Sequence, residues 1–442
     1  MNTPICDFVN EYAKKHSVRL HMPGHKGLGF LGFEEKDITE IGGADSLYEA
    51  CGIIKESEKN ASFLFGCDTF YSTEGSSQCI RAMIYLASMH AKQQGKKPLI
   101  AAGRNAHKTF LSAAALCDVD VVWLHSENGG SYLKCNVTAE DIKKSVSLNS
   151  PTAIYITSPD YLGNVLDIKA ISAVCKKHGV LLLVDNAHGA YLKFLKDSLH
   201  PIDLGADICC DSAHKTLPVL TGGAYLHISN DTLSKQAKTA LALFGSTSPS
   251  YLIMQSLDAA NKYIADGYKE KLDCFCLKVQ SLKNKLIQNG FTLCGNEPTK
   301  ITLNAKPYGY CGTEIADILE KENFVCEFAD KDFIVCMLTP ENRDSELAAL
   351  EKALISIPKK QSIADNPPAF ALPEKVMNIR EAVFSPSEII RASESEGRIL
   401  AAATVACPPA VPIVVCGEKI DKSAVKCFEY YGIEYVTVIK ER

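Results

Sequence analysis

A mainly parallel α/β sheet, covered by helices on both faces, is what this sequence predicts for its larger part. Three observations carry that reading. Short Val/Ile/Leu-rich runs alternate with helical stretches from about residue 61 to 228, the pattern of a sheet buried on both faces. The runs are separated by helix-length segments rather than hairpin turns. At 442 residues, the chain is too long for one simple core and calls for a large domain with one or two smaller ones.

The elements follow in order. Residues 1–60 are Gly-rich and irregular apart from a short opening helix, and read as an arm lying on something else. The large domain spans 61–290. Its strands include "PLIAAG" (98–103), "DVVWLH" (120–125), "TAIYIT" (152–157), "VLLLVD" (180–185) and "DICCDS" (207–212), with helices at "HKTFLSAAALC" (107–117) and "DIKAISAVCKKHG" (167–179). Residues 251–290 read as one long helix ended by Gly290. A small α/β domain at 291–358 combines strand "KITLNA", helix "GTEIADILEKEN", strands "VCEFAD" and "FIVCML", and helix "DSELAALEKALISI". The polar, Pro-rich "PKKQSIADNPPAFALPEK" (358–375) marks a boundary. A last small domain, 368–442, holds "VPIVVCGE", a helix and "IEYVTVI".

Composition excludes several classes of function. Apolar residues at 46%, charged residues at 22% and a net charge of −5 favour neither nucleic acid nor an anionic membrane surface. No apolar run approaches the roughly 20 residues of a membrane span. The start, "MNTPICDFVNEYAKKHS", lacks the order of a signal peptide, so a cytoplasmic location with reduced thiols is expected for the eighteen cysteines. No C-x-x-C pair suggests zinc, and no metal is expected.

In an open parallel sheet, ligands sit at the carboxyl ends of the strands. "VLLLVDNAHGAY" ends its strand on Asp185, with His188 three residues on. His107 stands where a strand gives way to a helix. In "FYSTEGSSQCIRAMIYLA", Gly75, Ser76 and Ser77 open a strong helix, where free N–H groups and the helix dipole suit a phosphate. "CCDSAHKTLPVLTGG" carries Lys215 at the junction after a strand, where a buried ammonium needs a partner. Each has a plainer reading alone: Ser76 an N-cap, Asp185 a turn residue, His107 a core or surface histidine, Lys215 part of a surface turn. Together they are the parts of a pyridoxal phosphate site. Lys215 is the Schiff-base lysine, the strand-end carboxylate keeps the pyridine nitrogen protonated, and a histidine stacks on the ring.

These motifs resemble the bacterial ornithine/lysine/arginine decarboxylases. "HMPGHKG" (21–27) is similar to the family's N-terminal signature, and "DITEIGGADSL" (37–47) to the acidic segment after it. "EGSSQ", "RNAHKTFLSA", "LLLVDNAHGAY", "DSAHKTL" and "GSTSPSYLIMQSLDAA" (245–260) follow in family order. The resemblance implies an aspartate-aminotransferase-like, fold type I large domain with a seven-stranded sheet, and small C-terminal α/β domains. It implies Lys215 as cofactor lysine, Ser212 and His214 as its flanking contacts, Gly75, Ser76 and Ser77 at the phosphate, Asp185 on the ring nitrogen and His107 on the ring face. Protonation after CO2 loss falls to Lys215 or His188. Thr247 or Ser248 would reach the phosphate of a facing subunit, implying a homodimer with shared active sites. The implied activity is decarboxylation of arginine, lysine or ornithine, a step of polyamine biosynthesis.

The chain also departs from that family. Asn186 stands where acidic residues are common. In "GRILAAATVACPPAVP" (397–412), Leu400, Ala402 and Cys407 replace polar residues, which puts the usual basic substrates in question. An aminotransferase or other lyase, and a degenerate binding scaffold, are the competing readings. The strand "FIVCMLT" (333–339) has no arginine to clamp a substrate carboxylate, and Arg343 lies beyond it, which favours decarboxylation. Candidates for the substrate's distal charge are Glu40, Asp45 and Glu74.

Overall fold

A computed structural model describes residues 1–124, 136–369, 372–402, 405–407 and 411–441. Seven short strands build the α/β part: β1 (Asp68–Ser72), β2 (Leu99–Gly103), β3 (Asp120–Leu124), β4 (Ala153–Thr157), β5 (Leu181–Asp185), β6 (Ile208–Asp211) and β7 (Ala224–Ile228). All but β1 carry the apolar runs expected of doubly covered strands, and every residue of β5, β6 and β7 is buried.

By packing, the chain divides into two compact units. The first comprises Met1–His90 and Leu182–Lys271. Its strands run in the order β1-β7-β6-β5. β5 and β6 are parallel, with Asp185 opposite Cys210; β6 and β7 are antiparallel, as are β7 and β1. The helices that matter for the site are α1 (Pro4–Lys14), α2 (Ile53–Phe65) and α3 (Gly75–Gln93). Phe65 on α2 packs its ring against Tyr225 and His227 of β7, closing the apolar side of this unit.

The second unit, Ala91–Leu181 and Leu272–Arg442, holds β4-β2-β3, all parallel. Its helices α4 (Lys108–Cys117), α5 (Ala139–Asn149) and α6 (Ile168–His178) alternate with the strands in sequence. It also contains a four-stranded antiparallel sheet, of which Lys300–Asn304 and Phe333–Met337 are neighbours. A two-stranded pair, Ser387–Arg391 with Tyr435–Ile439, sits over a core that includes Leu400, Phe428 and Val438.

Three expectations are corrected. The single helix at 251–290 is two, Tyr251–Ala265 and Tyr268–Gln288. Gly267 between them takes φ +95°, a conformation only glycine adopts freely. The arm is less irregular than its composition suggests. Helix α2 begins at Ile53, and Asp45 accepts the backbone N–H groups of Gly52, Ile54 and Lys55 at that helix's start. The strand expected over 325–330 shrinks to Phe328–Ala329.

Elsewhere in the arm, both carboxylate oxygens of Glu34 take backbone N–H groups, from Phe30 and Leu31 on one side and Gly32 and Phe33 on the other. Burial would raise the Glu34 carboxyl, but these donors win and hold it at about 2. The loop so held presents its apolar side chains outward. Leu20 is 91%, Phe30 79% and Leu31 76% exposed, more than isolated surface leucines need explain.

Candidate active site

The phosphate-loop residues expected from sequence meet in the first unit. Gly75 opens the 19-residue helix α3 at φ +69°, and its N–H donates to Gly222 O at 2.7 Å. Ser76 follows, and its Oγ accepts from Ser212 Oγ at 2.8 Å. A Cβ placed on Gly75 would find no heavy atom closer than His214 Cε1 at 3.9 Å. Two hydroxyls and a helix N-terminus thus face an open space beside an imidazole, which fits an anionic phosphate. Ser77 lies in the same first turn.

His214 is fixed from the opposite side. Its backbone N–H donates to Gly223 O at 3.1 Å, and its Nδ1 lies 2.9 Å from the same oxygen. Burial pushes its pKa down, and although the Gly223 carbonyl opposes this, the Lys215 ammonium adds to it, so the ring is neutral at physiological pH. Ser212 precedes a single helical turn, α7 (Ala213–Thr216), that carries Lys215.

Lys215 is half-buried, so its ammonium is less enclosed than the sequence suggested. Its Nζ stands 3.1 Å from His188 Nε2. His188 is buried, in the turn that follows β5. Asp185 ends β5, also buried. Its Oδ1 accepts from Ala187 N at 3.2 Å and faces the Cys210 thiol at 3.7 Å. Burial, and then Asp185 itself, push that thiol well above its ordinary value, so it acts as a neutral donor.

His107 lies in the second unit, where it caps α4. Its Nδ1 accepts from Thr109 N at 3.2 Å and lies 2.9 Å from Thr109 Oγ1, so the ring proton is on Nε2. Its position at the strand-to-helix junction is the expected one.

The Ser/Thr-rich segment begins beside Glu74. Ser246 N–H donates to the Glu74 carboxylate, which brings the segment against its own chain's phosphate loop. Thr247 and Ser248 are exposed and line a cavity of about 320 Å³ with Met22, Pro23, Glu40 and Tyr251. Of the distal-charge candidates, Asp45 is spent on backbone N–H groups, Glu74 on Ser246, and Glu40 is exposed at this cavity. Arg343 is 79% exposed and pairs with Glu346 at 2.7 Å. Leu400 is wholly buried and Ala402 partly so; the side chain of Cys407 lies outside the described residues.

One group escaped the sequence reading altogether. Asp211, at the end of β6, takes His200 Nε2 and His227 Nε2 on one oxygen, at 3.1 and 3.0 Å, and Asn186 Nδ2 on the other at 2.6 Å. All four side chains are wholly buried. Residues 186, 200, 211 and 227 are far apart in sequence, and no local motif joins them.

The strand-end carboxylate, the lysine after the next strand and the hydroxylated helix start sit on the framework of the pyridoxal phosphate fold type I enzymes. The chain belongs to the Orn/Lys/Arg decarboxylase family: the model of the major domain matches residues 3–302, and that of the C-terminal domain residues 362–436. It is 29% identical to the arginine decarboxylase of Halalkalibacterium halodurans, over 95% of this chain and 91% of that one. The arginine decarboxylase of Bacillus subtilis is 29% identical over the same shares. The constitutive lysine decarboxylase of E. coli superposes with a TM-score of 0.78 at 17% identity, covering 99% of this chain and 82% of the other. Serine palmitoyltransferase of Sphingomonas wittichii follows at 0.57 and 14% identity, over 79% and 82%. The chain is thus a pyridoxal phosphate-dependent decarboxylase. Among the described residues no helix is long and apolar enough to cross a membrane.

Proposed function

We propose that the chain decarboxylates arginine, with lysine and ornithine as poorer substrates, and that it works as a homodimer in polyamine biosynthesis. The observation that carries this is Lys215 Nζ at 3.1 Å from His188, in a chain matching the arginine decarboxylases of two bacteria over more than nine-tenths of their length. Gly75, Ser76, Ser77, Ser212 and His214 would hold the cofactor phosphate, Asp185 the ring nitrogen, His107 the ring face and Lys215 the aldehyde carbon. Bound there, pyridoxal phosphate supplies an electron sink for the pair left by departing CO2. Asp185 would set its carboxylate against the ring nitrogen, which must stay protonated. His188 Nε2 and Lys215 Nζ are close enough to exchange a proton, and one of the two would return it to Cα. The strand Phe333–Met337 contains no arginine, and Arg343 is engaged by Glu346, so no clamp there binds the carboxylate that must leave. Glu40, exposed beside Thr247 and Ser248, is the free acid for the distal charge, reached by the partner's substrate.

The exposed apolar arm supports the dimer, since a monomer in water gains nothing by presenting it. The test is CO2 release across the three amino acids by the loaded enzyme and by Lys215→Ala. Arginine should be fastest, and Lys215→Ala should lose both turnover and the cofactor's visible absorbance. Equal activity in Lys215→Ala would overturn the site, and faster release from lysine would overturn the substrate.

A further inference from the structure

Asp211 is a buried carboxylate that the reaction does not use, and its surroundings fix its charge. Both imidazoles present Nε2 to it, so both carry their proton there. His227 Nδ1 lies 2.9 Å from Thr69 Oγ1, whose hydroxyl donates to Cys67 O at 3.2 Å. Among the described residues, His200 Nδ1 is buried with no hydrogen-bond partner. Burial pushes His227 down. Burial would raise the Asp211 carboxyl, but the two imidazoles beside it win and hold it below its ordinary range, so it is the cluster's one carboxylate.

The other ionisable groups around it do not alter that count. The thiols of Cys67, Cys79, Cys209 and Cys210 and the Tyr225 phenol are all raised by burial, hence neutral. Lys193 and Asp203 pair with each other at 2.5 Å. Across the strand pair, Asp185 is the next carboxylate.

Asn186 joins the two. Its backbone N–H donates to Cys210 O at 3.0 Å and its Nδ2 to Asp211 Oδ1 at 2.6 Å. Its own Oδ1 is buried without a partner, which fixes the direction of the amide: turned over, oxygen would meet oxygen. A Cβ on Gly189 would fall 2.0 Å from that Oδ1, so the turn that carries His188 closes directly on Asn186.

We propose that Asn186 and Asp211 are positioning residues, a single-carboxylate clamp that locks the ends of β5 and β6 and so holds Asp185 and His188 opposite Lys215. The inference rests on reading Lys215 and Asp185 as the cofactor site. An aspartate at 186 would set two carboxylates at a separation where both cannot ionise. One would keep its proton with a raised pKa. Its contribution to stability would be present at low pH and lost as pH rises through that value.

The test uses the cofactor-loaded full chain and three variants, Asn186→Asp, Asp211→Asn and the exchanged pair Asn186→Asp/Asp211→Asn. Thermal melting and the cofactor's visible band are followed from pH 5.5 to 9, a range on the order of that over which a raised carboxyl titrates. Asn186→Asp should melt progressively lower as pH rises and shift the band's titration, where wild type does neither. The exchanged pair should regain the wild-type pH profile. If Asn186→Asp does not fold at neutral pH, recovery of folding in the exchanged pair supports the clamp equally well. A wild-type profile in Asn186→Asp, or an exchanged pair no better than Asn186→Asp, overturns the clamp. Lys215→Ala separates the two ideas: if it keeps the band and turnover, the site reading fails, whereas its loss alongside an unperturbed Asn186→Asp condemns the clamp alone.

Discussion

Two parts of the first unit are held by carboxylates in opposite ways. At the strand ends, Asp211 is buried among the side chains of Asn186, His200 and His227, and Asp185 takes the Cys210 thiol along with one backbone N–H, that of Ala187. In the arm, Glu34 and Asp45 are buried among backbone N–H groups of their own or adjoining loops. The strand-end carboxylates tie distant segments into one cooperative layer. The arm carboxylates freeze local shape and leave apolar side chains facing out. One region fixes buried groups across several strands, the other fixes a loop that leaves apolar side chains exposed.

The comparison breaks most sharply at Asp185. Asp185→Asn should lower kcat by about 10²–10³, the usual loss of one preorganised electrostatic group, while the far-UV spectrum and cofactor binding through Ser76, Ser212 and His214 persist. His188→Gln should cost about 10² in kcat, at the low end because Lys215 Nζ stands 3.1 Å away and can itself return the proton. A pre-steady-state trace would show the loss in the protonation step.

In the arm, Glu34→Gln should leave kcat of the assembled enzyme nearly intact. It should weaken the dimer in sedimentation velocity and open residues 28–33 to proteolysis, because the amide retains acceptors for only part of the nest. A variant as tightly dimeric and as protease-resistant as wild type would show that the nest does not shape the interface.

The smallest effect sharpens the contrast by pH. His227 is pushed below its ordinary 6.5, so the unfolded chain takes up a proton that the folded one resists, and the strand-end layer loses stability as pH falls through 6.5. Glu34 is lowered from 4.5 to about 2. Its contribution is complete above 4.5 and fades only as pH falls towards 2. Hydrogen exchange on acidification should therefore loosen β6 and β7 before the 30–34 loop. The reverse order would contradict both assignments.

What the sequence disclosed divides along the same line. Ser76, Asp185, His188 and Lys215 were legible because each sits at the end of a strongly apolar run or the start of a strong helix, where polar residues stand out. The Asn186–Asp211 contact was not, because it depends on the parallel register of β5 on β6, which joins residues 25 apart. The break at Asp266–Gly267 did have a signal, a turn dipeptide inside a helical run, outweighed by the apolar periodicity on either side. β1, "DTFYS", lacks the aliphatic run that marked the other strands and is held by pairing to β7. The order of the arm was hidden for a different reason: a carboxylate gathering backbone N–H groups leaves no periodicity.

Cys210, the neutral donor to Asp185, has two neighbours in kind: Cys79 and Cys209 are also buried, their thiols raised by loss of solvent. Sulfur oxidises and alkylates as thiolate, so these three buried thiols offer an oxidant nothing to attack. Among the described cysteines, Cys51 and Cys274 are the exposed ones, and damage should begin there, at the arm and on the helix Tyr268–Gln288. The enzyme should therefore keep its active site through mild peroxide exposure that already marks its surface, and a maleimide dye should report on the arm without touching the chemistry.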